Sequence, residues 1–112
     1  MTNEELNTAL YKKVSAEQDK FRNWLLTQPP EEILRHTYEY TVREDILISL
    51  EYNDISDSQA QALLKSPSPL ADIFSEWEKR ETGYMEDIMD TIKSRANDVV
   101  RRQKQSEKSM ER

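Results

Sequence analysis

His36 is the single histidine of the chain. It stands in Arg35-His36-Thr37-Tyr38-Glu39-Tyr40, where a helical imidazole beside tyrosine and glutamate has the parts of a general base or of half a metal site. Both chemistries need convergent partners. A structural or catalytic metal centre needs several His, Cys or carboxylate ligands, and the chain has no cysteine and no second histidine. The same composition removes disulfides, zinc ribbons and thiol nucleophiles, and leaves His36 alone to serve any serine nucleophile. The plainer reading is a boundary histidine hydrogen-bonded to a neighbour. Glu86-Asp87-x-x-Asp90 is a second candidate, because Asp87 and Asp90 share a helix face and carboxylates suit a divalent cation. It lacks the loop, the glycine and the ligand spacing of a calcium-binding loop. We therefore expect no catalytic residue, no metal site and no cofactor.

A wider acidic set has a different use. Asp72, Glu76, Glu78, Glu81, Glu86, Asp87 and Asp90 follow one another along what reads as one long helix. At about 1.5 Å per residue they recur roughly 6–10 Å apart, an interval comparable with the phosphates of a DNA strand. A rod of carboxylates at that interval is a candidate nucleic-acid mimic that competes for a basic groove, and these seven are the candidate partner-binding residues. The alternative is a solvated acidic face. Beyond them, Arg101 and Arg102 are the candidate nucleic-acid contacts.

Charge is divided along the chain in the same way. Of 112 residues, 22 are acidic and 16 basic, for a net charge of −6. Residues 1–30 balance, residues 31–90 hold fifteen acidic against five basic side chains, and residues 91–112 hold three against seven. An acidic body repels nucleic acid and attracts a protein whose surface is basic, while the basic end suits phosphates.

The elements that must position these residues are helices. Hydrophobic residues make up 36% and there is one glycine, Gly83. That leaves too few turn residues for a sandwich or barrel, and no glycine-rich loop for a dinucleotide or P-loop fold. Leu6, Leu10, Val14, Phe21 and Leu25 form one helical stripe over residues 3–27, with Asn3 as N-cap, Glu17 and Gln18 interrupting the stripe, and Pro29-Pro30 ending it. Pro30 opens a second segment that reaches about Tyr52, and an internal capping box, Thr41 to Glu44, suggests a kink near Tyr40. Asn53-Asp54-Ile55 is a turn. Ser56 and Gln59 form a capping box for a short helix, and Ser68 caps the next, with Pro69 at its first position. That last helix carries Leu70, Ile73, Phe74, Trp77, Tyr84, Ile88 and Ile92 on one face. It either runs on to about Gln103 or breaks near Gly83, and its apolar seam rotates after Gly83 onto Met85, Ile92 and Val99 with Met89 and Ala96 beside it. This second seam either follows the bundle or packs on another copy or a partner. The expected architecture is all-α, a small helical bundle with a long C-terminal helix. Residues 1–103 form a single domain, and residues 104–112 form a charged, disordered tail. Phe21, Trp24, Leu34, Tyr38, Ile46, Leu63, Phe74 and Trp77 are expected in the core.

Three stretches carry a resemblance: residues 15–26 (SAEQDKFRNWLL) with 28–34 (QPPEEIL), residues 38–46 (YEYTVREDI), and residues 59–72 (QAQALLKSPSPLAD). Over most of residues 10–100 the sequence resembles a small family, domain of unknown function 3848, found on conjugative elements of gut Firmicutes. The resemblance brings no catalytic residue. It implies mobile DNA entering a new host, a setting in which small acidic proteins act as counter-defence inhibitors, anti-CRISPR proteins that block Cas9-type effectors among them. The expected function is a non-enzymatic inhibitor in the cytoplasm, whose partner is a Cas9-type nuclease or its guide complex. The alternative is an adaptor of a conjugative element, a homodimer that touches nucleic acid through its basic end. The longest aliphatic stretch, around Ile46 to Leu50, is far too short for a membrane span, and the N-terminus reads as no secretion signal.

Overall fold

The computed structural model describes residues 1–80 and 83–110, with side chains through residue 107. It is all-α: α1 (Asn3–Leu26), α2 (Pro30–Arg35), α3 (Thr37–Tyr52), α4 (Asp57–Leu64), α5 (Pro69–Arg80) and α6 (Tyr84–Met110). Among the described residues there is no strand. The chain divides into two units, Met1–Glu78 and Lys79–Arg112.

In the first unit α1 is the central element, with α3 and α4 packed on it. Its stripe of Leu6, Leu10 and Val14 is buried, as expected from the spacing, together with Leu25, Ala60, Leu70 and Phe74. Ile46, Leu47 and Leu50 from α3, Ile55 from the turn, and Leu63 and Leu64 from α4 close over Leu10, Val14 and Leu70.

Helix ends differ from the sequence expectation in three places, each for a local reason. The cap of α1 is Thr2, one residue earlier than Asn3. Its hydroxyl accepts from the Glu5 N–H at 3.1 Å, and the Glu5 carboxylate accepts in return from the Thr2 N–H at 3.4 Å. The break in the second segment falls at His36, four residues before Tyr40. Thr41 caps nothing there, because its hydroxyl donates to the Thr37 carbonyl at 3.0 Å, the back-bonding that a mid-helix threonine favours. At the start of α5 the N–H groups of Leu70 and Ala71 donate to the Glu17 carboxylate, each at 2.9 Å. The cap expected from Ser68 is thus supplied by α1. The Ser56–Gln59 capping box and the Pro30 start are as expected.

The long helix takes the broken form, with α5 ending at Arg80 and α6 starting directly after Gly83. α6 spans 27 residues and takes in residues 104–110 of the 104–112 stretch expected as a tail; residues 111–112 lie outside the described residues.

The expected core needs correction. Trp24, Leu34 and Trp77 are 45%, 74% and 47% exposed, and Tyr38 is also exposed. Phe74 is buried, while Phe21, Ile46 and Leu63 are half-buried. Leu34 sits on a six-residue helix that buries no residue at all. Ile33 turns toward α1, and the next residue, about 100° round the helix, faces out. Trp77 and Tyr38 instead satisfy one another at the surface, the indole N–H donating to the phenol oxygen at 3.0 Å. Phe74→Ala should therefore cost about 3–5 kcal/mol in urea unfolding followed by circular dichroism, whereas Trp77→Ala should cost about 1 kcal/mol. Equal losses would place Trp77 in the core after all.

Candidate functional site

His36 is held rather than aimed. Its Nδ1 lies 3.3 Å from a Glu39 oxygen and its Nε2 3.9 Å from a Glu32 oxygen. Its ring stands edge-on to Trp24 and Phe21, at centroid distances of 5.2 and 6.2 Å. Both nitrogens thus face carboxylates of its own neighbourhood, the arrangement of a boundary histidine at a helix junction. Among the described residues no three His, Cys, Asp or Glu side chains converge to hold a metal.

Glu39 also serves Arg43, which is buried and was not singled out in the sequence. The Arg43 Nε and NH2 groups donate to one Glu39 oxygen at 3.1 and 2.8 Å. Glu17 stands at 3.9 Å, and the guanidinium lies 4.3 Å from the Phe21 ring centre and 5.9 Å from that of Phe74. Glu17 thereby joins α1, α3 and α5 through one carboxylate. A short-range sequence pattern does not contain such a link, since the capped N–H groups lie 53 and 54 residues away.

The acidic set falls into two groups. On α5, Asp72, Glu76 and Glu78 are exposed, and Asp72 accepts from the Ser66 hydroxyl. Asp72 and Glu76 share a face, but Glu78, two residues on, lies about 200° round from Glu76. On α6, Glu86, Asp87 and Asp90 are exposed and lie together. Glu81 lies outside the described residues. Of the six described carboxylates, three therefore stand on α5 and three on α6. Of this set, Glu86, Asp87 and Asp90 lie together on the first two turns of α6.

The opposite side of those turns is apolar and exposed. Met85 is 71% and Ile92 52% exposed, with Ile88 and Met89 between them. Farther along, Asp98 gathers Arg95 at 3.2 Å, Arg101 at 3.0 Å and Arg102 at 3.5 Å. Three guanidiniums around one carboxylate leave a local positive excess, and exposed pairs of this kind are held by only about 0.2–1 kcal/mol. The two candidate phosphate contacts remain at the surface. In the first unit, a cleft of about 510 Å³ between α3, α4 and α5 is lined by Val42, Ile46, Leu50, Ile73 and Trp77. Its lining suits an apolar side chain of a partner better than a reacting group.

A family model described as "Protein of unknown function (DUF3848)" matches residues 6–100. The chain belongs to that family. No curated protein and no solved structure matches it. The DUF3848 region takes in the stripe and polar contacts of α1 and the apolar side of α6 as far as Val100. Arg101 and Arg102 lie just beyond it. Within that region Glu17 caps α5 and lies beside Arg43 of α3. Glu17→Ala should lower stability by about 1–2 kcal/mol, the size of a lost helix cap. Glu17→Gln, which keeps an acceptor oxygen without the charge, should lose about half as much. Thermal melts of the two variants measure this. Unchanged melting of Glu17→Ala would remove the carboxylate from any role in holding α5.

Proposed function

We propose that this DUF3848 protein is a non-enzymatic, cytoplasmic inhibitor that binds another protein, and that its target is a nuclease of the Cas9 type. The observation that carries this reading is the exposed acidic group Glu86, Asp87 and Asp90 on a helix whose other side is apolar and uncovered. Such a helix offers a basic groove both charge and an apolar anchor. A Cas9-type effector has basic surfaces reserved for guide RNA, the PAM duplex and the displaced strand. An acidic helix lying there excludes the nucleic acid without any chemical step. A setting on conjugative elements, which the sequence resemblance implies and where incoming DNA meets host nucleases, would favour the same target as an association and not as a mechanism.

The second reading is an adaptor of a conjugative element. It is favoured by the arginine cluster around Asp98, which gives the C-terminal half of α6 the charge to touch phosphates.

Reversing Glu78, Glu86, Asp87 and Asp90 to Lys separates the two. The inhibitor reading expects slower association and weaker nuclease inhibition, with a fold that survives, since surface substitutions usually change stability by about 0.5 kcal/mol or less. Inhibition by the unaltered protein should weaken as salt rises. The measurement is plasmid interference and cleavage by a Cas9-type nuclease across a salt series. Undiminished inhibition by the folded variant at every salt concentration would reject the electrostatic mechanism. No inhibition by the unaltered protein would leave the adaptor.

A further inference from the structure

The N-terminal half of α6 has an apolar side that is exposed along Met85, Ile88, Met89 and Ile92. Met85, Ile92 and Val99 recur every seven residues, and Met89 and Ala96 recur with them at the complementary position. Alternating steps of four and three are the seam of a two-stranded coiled coil, and the surface that fits such a seam is another helix with the same spacing. Charge then selects which helix, and in which direction. Residues 84–92 carry Glu86, Asp87 and Asp90 and no base. Residues 93–104 carry Lys93, Arg95, Arg101, Arg102 and Lys104 against Asp98 alone. A helix with an acidic half and a basic half attracts a second copy of itself when the two run antiparallel, and repels it when they run parallel.

We infer that α6 pairs antiparallel with α6 of a second copy of this chain. The register follows from the side chains. Met89 layers on the partner's Ile92 and Met85 on the partner's Ala96, each layer occurring twice about the two-fold axis. Glu86 then flanks the seam beside the partner's Lys93, an ion pair that also occurs twice. On the other flank Ile88 lies along the aliphatic stem of the partner's Arg95. Sliding by one heptad would lengthen the overlap and set Met89 on the partner's Val99. It would also bring Lys93 against the partner's Lys93 and Arg95 against the partner's Arg95, so like charges disfavour it. In the favoured register Asp87 and Asp90 face outward, and Arg101 and Arg102 extend beyond the overlap at both ends. The nuclease reading draws on the same apolar side, but the pairing does not rest on it: no nuclease enters the test below, so the two fail separately.

The experiment is sedimentation equilibrium of the full chain, 13.3 kDa as a monomer, over a concentration series. The unaltered protein should shift from the monomer mass toward twice that mass. Ile92→Asp should stay monomeric. Glu86→Lys and Lys93→Glu should each weaken pairing about tenfold, and the two together in one chain should restore it, which a merely misfolded α6 would not show. Orientation is read by cysteine pairing, because the chain contains no cysteine of its own. A mixture of Met85→Cys and Ala96→Cys chains should form the mixed disulfide. Met85→Cys alone should not, since eleven residues separate the two levels, about 16 Å along the axis. A monomer mass for the unaltered chain up to about 1 mM, where binding free energy is only about −4 kcal/mol, would overturn the proposal. So would a preferred Met85→Cys homodisulfide, which signals parallel helices, or pairing that Ile92→Asp leaves intact.

Discussion

The Glu17 carboxylate at the N-terminus of α5 is the contact on which the first unit turns. The first N–H groups of any helix lack partners within it, and a negative charge there also meets the positive end of the helix dipole. Glu17 supplies both from the middle of α1, and so fixes where α5 begins and which residues, Leu70 and Phe74, turn inward. It belongs to a wider arrangement. Asn7 exchanges two hydrogen bonds with the Ile55 backbone, each at 3.0 Å, as a peptide group in a ladder would. Lys13 donates to the carbonyls of Leu64 and Ser66 at 2.8 and 2.6 Å, covering the end of α4. Gln18 donates to the Tyr40 carbonyl and to Glu44. A chain with 36% hydrophobic residues has a small core. Bonds of about 1 kcal/mol each are a sizeable share of a total stability of about 5–15 kcal/mol.

Arg43 shows why that arrangement tolerates a charge inside it. A guanidinium removed from water is costly unless its donors are met and its faces covered. Here Glu39 takes two N–H donors, and the Phe21 ring lies against the planar group at 4.3 Å. Lysine at this position would offer one compact charge with no flat face to stack and no fork for the carboxylate. The pair Arg43 and Glu39 also ties the buried interior to the helix junction, since Glu39 is the same residue that meets His36. The junction, the aromatic edge of Phe21 and Trp24, and the cap of α5 are thus neighbours through only two carboxylates and one guanidinium.

Much of the fold was legible in the residues, and the part that was not has a common cause. Local devices read correctly: the Ser56–Gln59 box, Pro30 opening α2, and the Leu6–Leu10–Val14 stripe all depend on residues within a turn or two of each other. Glu17 and Gln18 looked like flaws in that stripe because their partners lie on other helices. Thr41 and Glu44 had the spacing of a capping box, yet the helix was already under way from Thr37, and a hydroxyl with a carbonyl four residues back takes that instead. Trp24 and Trp77 have the hydrophobicity of core residues, but each keeps an edge in water, Trp77 with its indole N–H spent on Tyr38. At the candidate site, residue type and spacing showed the acidic and apolar sides of α6. They could not show that α5 and α6 are separate helices, which divides the carboxylates into two groups.

The two units hold their helices by different means, and that difference bears on function. In the first, helix ends are met by side chains from α1 and the apolar faces are at least partly covered. In the first turns of α6 the described residues Tyr84, Met85, Met89 and Ile92 are all exposed. Its own ion pairs, those of Asp98 with Arg95, Arg101 and Arg102, add about 0.2–0.5 kcal/mol each. A helix in water draws most of its stability from packing an amphipathic face on something else. The order of α6 is therefore coupled to whatever covers Met85, Met89 and Ile92, and a surface that covers them adds that coupling to its affinity. In the pairing inferred for α6, the surface that covers this side would thus stabilise α6 by mass action, while the first unit is held by its own caps and by the side chains of α1.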